Sequence, residues 1–282
     1  MIIFNGKKLA ERILLDLKIE ISEKKITPAL SVISVGEDAA SMLFIKNKKE
    51  AAKRIGIRVF HYKFNETVKE LEILQKIEEL NGDPKVHGII VQLPLPKNFN
   101  TGKIIEKIDP KKDVDGFHKI NRDLLKDKKK PYFYPPFPLA IFTAIKSAKK
   151  NLKGKKVSAI VGSEIFGETL KNYLDKEKIK AQYVLKQKNY FLDIKTKLKS
   201  ADILITVCGC KRQLKGDMIK EGAILIDGGI TCLSNGKIVG NVDRKSVEKK
   251  AAFLTPVPGG IGPLTVAFLL KNTYKSAEKL WK

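Results

Sequence analysis

The sequence predicts an α/β protein with two domains, each built on parallel strands. Short apolar runs typical of buried strands alternate with amphipathic helical patterns, and such an order favours parallel pairing through right-handed crossovers. The alternation is interrupted once, at Lys126–Pro138, where four prolines in thirteen residues exclude regular structure. We therefore expect two α/β series joined by an irregular connector.

The first series contains three predicted helices and three predicted strands. The helices are Leu9–Ile21, Ala39–Ile55 and Val68–Leu80, and the strands are Pro28–Gly36, Ile57–Tyr62 and His87–Pro96. The second series has strands at Lys156–Gly162, Ala181–Leu185, Ala201–Gly209 and Gly222–Ile230, and helices at Phe166–Leu174 and Leu264–Leu280. Asn235-Gly236 predicts a type I′ turn in a small antiparallel ribbon.

The chain is strongly basic, with 55 Lys and Arg against 31 Asp and Glu, a net charge of +24. Only six of the basic residues are Arg, and Lys is spread over the whole chain, which is typical of solvated surfaces. Attraction of an anionic small molecule is a second interpretation. Nucleic-acid binding is a third, but no basic and aromatic motif supports it, and we expect no nucleic-acid partner.

Other classes are excluded by what the sequence lacks. No run of eighteen apolar residues predicts a membrane span, and the first residues do not form a secretory signal, so we expect a cytoplasmic protein without a membrane partner. Three cysteines without C-x-x-C spacing predict neither a disulfide framework nor a zinc ribbon. With three scattered histidines, we expect no metal site.

Several residues of the first series are candidates for chemistry. Phe44 and Lys48 lie four apart on one predicted helix face, where a lysine in a cleft can exchange protons, although an ordinary solvated face is the simpler interpretation. Gln92 ends an apolar strand, at the edge where open α/β sheets bind ligands, or it caps local backbone. Asp113 and Asp115 precede a glycine, which turn chemistry alone can explain.

Two glycine-rich segments are candidates in the second series. Gly162–Gly167 follows a strand and opens a helix, where a dinucleotide pyrophosphate binds, although its spacing differs from G-x-G-x-x-G and a plain turn fits equally well. Lys186 and Lys188 follow the next strand in place of an acidic residue, which suits a 2′-phosphate better than a bare ribose. Thr255–Pro263 predicts a rigid loop that permits close backbone approach, either to serve a ligand or only to end the domain.

Together these segments resemble one family, the bifunctional methylenetetrahydrofolate dehydrogenase/methenyltetrahydrofolate cyclohydrolases of the FolD type. The resemblance covers essentially the full length in the correct order. The motifs that carry it are ISVGEDAAS-x-x-F-x-x-x-K, GIIVQLPLP, KDVDGFH, GDMIKEGAILIDGGI and TPVPGGIGPLT. Long motifs in order are specific, and they favour functional interpretations of Lys48, Gln92 and Asp115.

The resemblance implies oxidation of 5,10-methylenetetrahydrofolate with NADP, or with NAD, and hydrolysis of the methenyl product to 10-formyltetrahydrofolate. By position it makes Lys48 the catalytic lysine, Gln92 the glutamine that tunes it and Asp115 the aspartate that binds the pterin ring. The other residues it implies for substrate binding are Phe44, Leu93, Pro258, Gly259 and Gly260. Those it implies for cofactor binding are Gly162, Ser163, Glu164, Gly167, Lys186 and Ile230.

The resemblance also implies an architecture and a setting. It predicts a catalytic folate-binding domain, residues 1–137 plus 263–282, and a Rossmann-type NAD(P)-binding domain, residues 138–262, with a cleft between them. It predicts a homodimer in contact near Asn235-Gly236, and a role in one-carbon metabolism and purine biosynthesis.

Three departures from the family pattern leave alternatives open. Phe44 replaces a tyrosine, and the loop Gly162–Gly167 is one residue shorter than G-R-S-x-x-V-G and lacks its arginine. The segments at Pro135–Ala140 and Asp227–Thr231 differ from P-C-T-P-x-G and D-V-G-I-N. A cyclohydrolase with a degenerate cofactor pocket is therefore one alternative. A basic nucleic-acid-binding or regulatory protein on the same scaffold is another.

Overall fold

The computed structural model describes residues 1–148, 151–186 and 195–280, and the chain divides into two compact units. One unit, here called the six-stranded unit, comprises Met1–Leu9 and Phe137–Thr265. The other, the three-stranded unit, comprises Ala10–Pro136 and Val266–Lys282. Both are built on parallel sheets, which confirms the predicted fold class. No helix in the described ranges has the length and apolar character to cross a membrane.

The three-stranded unit has β2 at the centre of its sheet, in the order β3-β2-β4, with both pairs parallel. β2 is buried along its whole length, as its uninterrupted apolar run predicts. The strands are β2 (Ala29–Val35), β3 (Arg58–Phe64) and β4 (Gly88–Val91). The helices are α1 (Gly6–Lys24), α2 (Ala39–Arg54), α3 (Glu70–Gly82), α4 (Thr101–Glu106) and α5 (Lys119–Lys126). Residues 6–9 of α1 belong to the six-stranded unit.

The six-stranded unit has a sheet in the order β1-β11-β8-β7-β5-β6, in which every pair is parallel. The strands are β1 (Ile2–Ile3), β5 (Val157–Val161), β6 (Ala181–Leu185), β7 (Ile203–Val207), β8 (Ile224–Asp227) and β11 (Phe253–Leu254). The helices are α6 (Pro136–Ser147), α7 (Glu164–Lys176), α8 (Lys195–Ser200) and α9 (Arg244–Val247). α10 (Ile261–Leu280) begins in this unit and continues into the three-stranded unit.

The strand order of the larger sheet locates its ligand edge. The chain leaves β5 toward β6 on one side and returns to β7 on the other, so the carboxyl ends of β5 and β7 flank a topological switch point. Open α/β sheets bind ligands in the crevice at such a point. The loop Gly162–Gly167, which directly follows β5, therefore lies where the sequence predicts a nucleotide.

The N-terminal residues differ from the predicted division of domains. Residues 1–137 were expected to belong to one domain, but β1 pairs with β11 at the edge of the six-stranded sheet. Phe4 packs on Phe253 of the same sheet, with ring centroids 5.9 Å apart. A two-residue strand has no periodicity, so the sequence could not place it. The rest of the predicted division stays a prediction.

The proline-rich connector was expected to be irregular as far as Pro138, and this is wrong at its end. Pro136 instead begins α6, and Pro138 lies in the first turn of that helix. The N–H groups of a first turn have no intrahelical acceptor, so proline costs nothing there, and its fixed φ suits the helix.

The predicted antiparallel ribbon is confirmed, but its turn is of another type. β9 (Thr231–Cys232) pairs with β10 (Ile238–Val239), and the Gly236 N–H donates to Leu233 O at 2.9 Å. Gly236 has φ +76°, whereas Asn235 is not among the residues with positive φ. A type I′ turn needs positive φ at both central residues, so this is a type I turn followed by a left-handed glycine.

A buried lysine holds the loop after α4 in the three-stranded unit. Lys112 Nζ donates to the carbonyl oxygens of Leu80, Asn81 and Asp83, at 3.1, 2.8 and 2.7 Å. These carbonyls lie at the end of α3, where helical acceptors have no N–H partner. Burial lowers the pKa of the Lys112 amine, while Asp109 and Asp83 act in the opposite direction. The ammonium thus completes the end of α3.

We predict that Lys112→Met lowers the free energy of unfolding by about 1–3 kcal/mol, the cost of leaving a buried acceptor unpaired. Lys111→Met is the matched control, because Lys111 is exposed in the same loop and its change should stay within about 0.5 kcal/mol. Urea denaturation followed by circular dichroism measures both. Equal stability of the two variants would contradict this role for Lys112.

Candidate active site

A buried lysine and a glutamine are paired in the three-stranded unit. Lys48, on α2, is only 8% exposed, and its Nζ donates to Gln92 Oε1 at 2.8 Å. Gln92 Nε2 in turn donates to Leu93 O at 2.8 Å, which fixes the amide so that its oxygen faces the amine. Lys48 and Gln92, which lie 44 positions apart in the sequence, are therefore joined by a side-chain hydrogen bond.

Local structure positions both members of this pair. The Asp38 carboxylate caps α2 by accepting from Ser41 N at 2.8 Å, which sets where the helix begins and hence which face carries Lys48. Gln92 directly follows β4, and its N–H donates to Ile33 O of the central strand at 2.8 Å. The pairing with β2 thus extends to Gln92 and holds its backbone at the carboxyl edge of the sheet.

The third predicted residue is electrostatically linked to this pair. Burial lowers the pKa of the Lys48 amine, and the negative charge of Asp115 acts in the opposite direction. Burial raises the pKa of Asp115 to about 6, and Lys48 acts against that rise. Desolvation disfavours the charged form of each group, so the two pKa values are shifted toward each other.

The remaining predicted residues of this unit lie near the same groups. Phe44 is half-buried one helical turn before Lys48. Leu93 and Asp115 line one small cavity together with Phe117. The three-stranded unit thus brings Lys48, Gln92, Leu93 and Asp115 together around one site, and Phe44 lies one turn from its lysine.

The predicted nucleotide loop forms the N-terminus of α7 in the six-stranded unit. Ser163 caps the helix, its Oγ accepting from Phe166 N at 3.4 Å, and Gly162 N donates to Val207 O at 2.9 Å. Gly167 permits close packing, since a Cβ there would lie 2.5 Å from the Tyr183 ring. The loop has the position and close helix–strand packing of a dinucleotide-binding turn.

Glu164 and Lys186 lie at the same edge of the six-stranded sheet. The Tyr183 hydroxyl donates to Glu164 Oε1, and this bond raises the pKa of Tyr183 to about 12. Lys186 is exposed directly after β6, and its N–H donates to Val161 O at 2.9 Å. Lys188 lies outside the described residues. The Glu164 carboxylate, implied for cofactor binding, thus accepts a hydrogen bond from a phenol.

A buried aspartate that we did not select organises this edge. Asp227, the last residue of β8, accepts from Asn241 N at 3.1 Å and from Val242 N at 2.9 Å. Its own N–H donates to Thr255 Oγ1 at 2.7 Å. Burial raises the pKa of Asp227 to about 6 against these hydrogen bonds. A polar residue ending a buried strand was the available signal, the same one that selected Gln92.

The other predicted residues lie around this edge of the six-stranded unit. Ile230 is half-buried between β8 and β9. Pro258, Gly259 and Gly260 precede α10, where Gly259 has φ +100°. A Cβ on Gly260 would lie 2.5 Å from Pro256 O, so the close-approach loop requires glycine there. In the described part of the chain, no three His, Cys, Asp or Glu side chains could hold a metal ion together.

The six-stranded unit has a loop at its switch point, and the three-stranded unit has a buried, hydrogen-bonded lysine. These two features define the class of protein, a two-domain enzyme with a dinucleotide-binding domain. Comparison with known proteins identifies the family. The catalytic-domain profile of the tetrahydrofolate dehydrogenase/cyclohydrolases matches residues 4–115, and their NAD(P)-binding-domain profile matches residues 135–281. The chain belongs to the tetrahydrofolate dehydrogenase/cyclohydrolase family.

Individual relatives match over nearly their whole length. The bifunctional protein FolD of Nautilia profundicola is 41% identical, covering 100% of this chain and 99% of the relative. The crystal structure of the Campylobacter jejuni FolD enzyme has a TM-score of 0.88 at 39% identity, over 98% of each chain. The Trypanosoma brucei enzyme, solved with NADP and an inhibitor, has a TM-score of 0.90 at 29% identity, covering 99% of this chain and 97% of that one.

We predict that Gln92→Glu raises the pKa of the Lys48 amine by about 1–3 units, because a carboxylate would replace a neutral acceptor at hydrogen-bonding distance. Titration of the isotopically labelled lysine amine by NMR measures this. Gln75→Glu is the control, since it adds the same charge at an exposed position of α3. A Lys48 pKa that responds equally to both changes would refute the direct interaction.

Proposed function

We propose that this protein oxidises 5,10-methylenetetrahydrofolate to 5,10-methenyltetrahydrofolate with NADP and hydrolyses that product to 10-formyltetrahydrofolate. Membership in the family and matches over nearly the whole chain support both activities. The observation that carries the hydrolysis is the 2.8 Å hydrogen bond between the buried Lys48 amine and Gln92.

Lys48 is proposed to move the protons of the hydrolysis. Attack of water on the methenyl carbon releases a proton, and departure of N5, which leaves the formyl group on N10, requires one. Burial lowers the pKa of this amine, so it releases a proton more readily than an exposed lysine does, and it is proposed to take the first proton and return the second. Gln92 orients Nζ through Oε1, because Leu93 O already fixes the opposite end of the amide.

Asp115 is proposed to orient the substrate. Its carboxylate can accept hydrogen bonds from the pterin N3–H and the 2-amino group, and this would hold the reacting bridge at a fixed distance from Lys48. Because its pKa is about 6, the carboxylate is mostly ionised at neutral pH and loses this capacity as the pH falls through 6. Phe44 supplies an apolar surface on the Lys48 side.

The six-stranded unit fits a dinucleotide. The Ser163 hydroxyl accepts from the Phe166 N–H. The other N–H groups of a first helical turn have no acceptor within the helix, which leaves donors for a pyrophosphate. Asn241 Nδ2 is buried without a hydrogen-bond partner and lies against Gly229 after β8, where a polar ligand group would satisfy it. NADP supplies the hydride acceptor when bound.

We extend the proposal to assembly and setting. An isolated two-stranded ribbon is marginally stable in water, so the ribbon of β9 and β10 is a suitable contact for a homodimer. We place the protein in the cytoplasm, with no nucleic-acid or membrane partner. The product is a formyl donor, for which purine biosynthesis is the proposed consumer.

We predict that Lys48→Met lowers the rate of methenyltetrahydrofolate hydrolysis by at least ~100-fold, the scale of general acid–base catalysis, while the apolar stem keeps the helix packed. The hydrolysis is followed by the loss of methenyltetrahydrofolate absorbance. Lys46→Met, at an exposed position of the same helix, is the control and should retain wild-type activity. Activity of Lys48→Met within a few-fold of wild type would exclude Lys48 from the mechanism.

The wild-type protein assayed for both reactions decides between the functions. NADP-dependent oxidation together with hydrolysis supports the proposal. Hydrolysis without any NADP- or NAD-dependent oxidation would identify the cyclohydrolase with a degenerate cofactor pocket. Neither activity, with salt-dependent retention on DNA, would identify the basic binding protein instead.

We predict that NADP binds weakly, with less discrimination against NAD than is usual in the family, because lysine contacts a phosphate without the bidentate geometry of arginine. Replacing Lys186 and Lys188 together by Ala should lower the affinity for NADP and leave that for NAD nearly unchanged. Calorimetric titration with each cofactor measures this. Lys180→Ala, before β6 at the opposite edge, is the control. Equal losses for both cofactors would contradict a 2′-phosphate contact.

A further inference from the structure

The loop that carries Asp115 is held by the distant helix α10. Asn272, a buried residue of α10, donates from Nδ2 to Val114 O at 2.9 Å. One turn later Ser276 Oγ donates to Lys111 O at 3.2 Å. Asn272 and Ser276 follow residues 137–265, here called the nucleotide-loop segment, in the chain. Each lies more than 150 positions after the loop that it contacts.

The Asn272 amide joins two backbone segments. Its NH₂ group also donates to Tyr134 O at 2.9 Å. A side-chain amide has two N–H donors in one plane, and here both are used, one for each carbonyl. The Asn272 side chain therefore fixes the distance between the carbonyl groups of Val114 and Tyr134.

This bridge confines the peptides on both sides of Asp115. Val114 immediately precedes Asp115, and Gly116, with φ +72°, immediately follows it. A Cβ on Gly116 would lie 3.0 Å from the backbone of Pro135, which is the neighbour of Tyr134. Asn272 therefore holds the peptide before Asp115 and also the segment against which the residue after Asp115 packs.

The loop has a second, internal support that does not replace this bridge. The Asp113 carboxylate accepts from Gly116 N at 3.1 Å, from His118 N at 2.8 Å and from Asn121 Nδ2 at 2.9 Å. These bonds shape the turn itself. α10 contributes to the position of the turn relative to residues 134–135, because Asn272 donates to both segments.

We propose that Asn272 is a positioning residue for the substrate, which it holds through Asp115. This inference rests on the proposed function, in which the Asp115 carboxylate binds the pterin ring. Loss of the Asn272 amide removes one hydrogen bond from each carbonyl and lets the Asp115 peptide move relative to Lys48. The carboxylate then no longer meets two pterin donors at once, and substrate affinity falls.

The test is a double-mutant cycle of Asn272→Leu and Asp115→Asn, with tetrahydrofolate binding to the full-length protein measured by calorimetry up to millimolar ligand. Leucine has a similar shape to asparagine but no donors. We expect Asn272→Leu to raise the Kd for tetrahydrofolate about tenfold, the scale of one hydrogen bond to a charged group. In the Asp115→Asn protein the same change should alter the Kd less than twofold, because the group through which Asn272 acts is already removed.

The control is Thr273→Val, which replaces the neighbouring buried hydroxyl. Thr273 Oγ1 donates only within α10, to Leu269 O at 3.0 Å, so its Kd for tetrahydrofolate should stay at the wild-type value. If Asn272→Leu shows no cooperative thermal transition, Asn272→Ser, which keeps one donor, is measured in the same cycle.

Equal increases of the Kd in both backgrounds would overturn the proposal, since Asn272 would then act on the fold and not through Asp115. An unchanged Kd in a folded Asn272→Leu protein would overturn it as well. Failure of the proposed function is a different result: the wild-type protein would bind no tetrahydrofolate and turn over no methenyltetrahydrofolate. Binding by wild type, with a loss that depends on Asp115, supports the proposal.

Discussion

A buried amine must have an acceptor, and this constraint determines the arrangement of the three-stranded unit. Lys48 is buried, and its side-chain acceptor Gln92 is held by the pairing of β4 with β2. Without that acceptor the amine would lose its hydration with no compensation. The same burial that makes the contact necessary also lowers the pKa of the amine, so one arrangement serves both folding and chemistry.

The six-stranded unit also contains a buried ionisable group that needs hydrogen-bond partners, the carboxylate of Asp227. Asp227 ends a buried strand, and its oxygens accept backbone N–H groups from the segment after β10, while its N–H contacts Thr255 before the glycine-rich loop. A Cβ on Gly240 would lie 2.0 Å from Asp227 Oδ2, so this close approach needs glycine. Asp227 thus joins two segments at the ligand edge of the sheet, one through its carboxylate and one through its backbone N–H. The cost of burying it is offset by the hydrogen bonds it accepts.

The sequence predicted what depends on local pattern. Apolar runs located the central strands, and motifs selected Lys48, Gln92 and Asp115, whose proximity the structure displays although their roles stay predictions. The short elements β1, α4 and α9 were not predicted, because two to six residues contain too little periodicity. Pro136 was misinterpreted, since a residue type that breaks a helix interior is well suited to its first turn.

The sequence also did not predict the long-range hydrogen bonds. Nothing near Asn272 indicates that its amide contacts a loop 158 positions earlier, because such a bond leaves no repeat or spacing in the local sequence. Lys112 looked like one more surface lysine in a basic chain, although it completes a helix end. Side chains with remote partners become visible only when the fold brings the partners together.

The discontinuity of the two units has a consequence for synthesis. A ribosome that has translated residues 1–136 has made the loop with Asp115 and the helix with Lys48, but not the helix that holds that loop. The three-stranded unit gains Asn272 and Ser276 only after the whole nucleotide-loop segment, residues 137–265, has been translated. A nascent chain therefore contains Lys48, Gln92 and Asp115 before it contains α10. A product truncated before α10 has the Asp115 loop without the hydrogen bonds from Asn272 and Ser276.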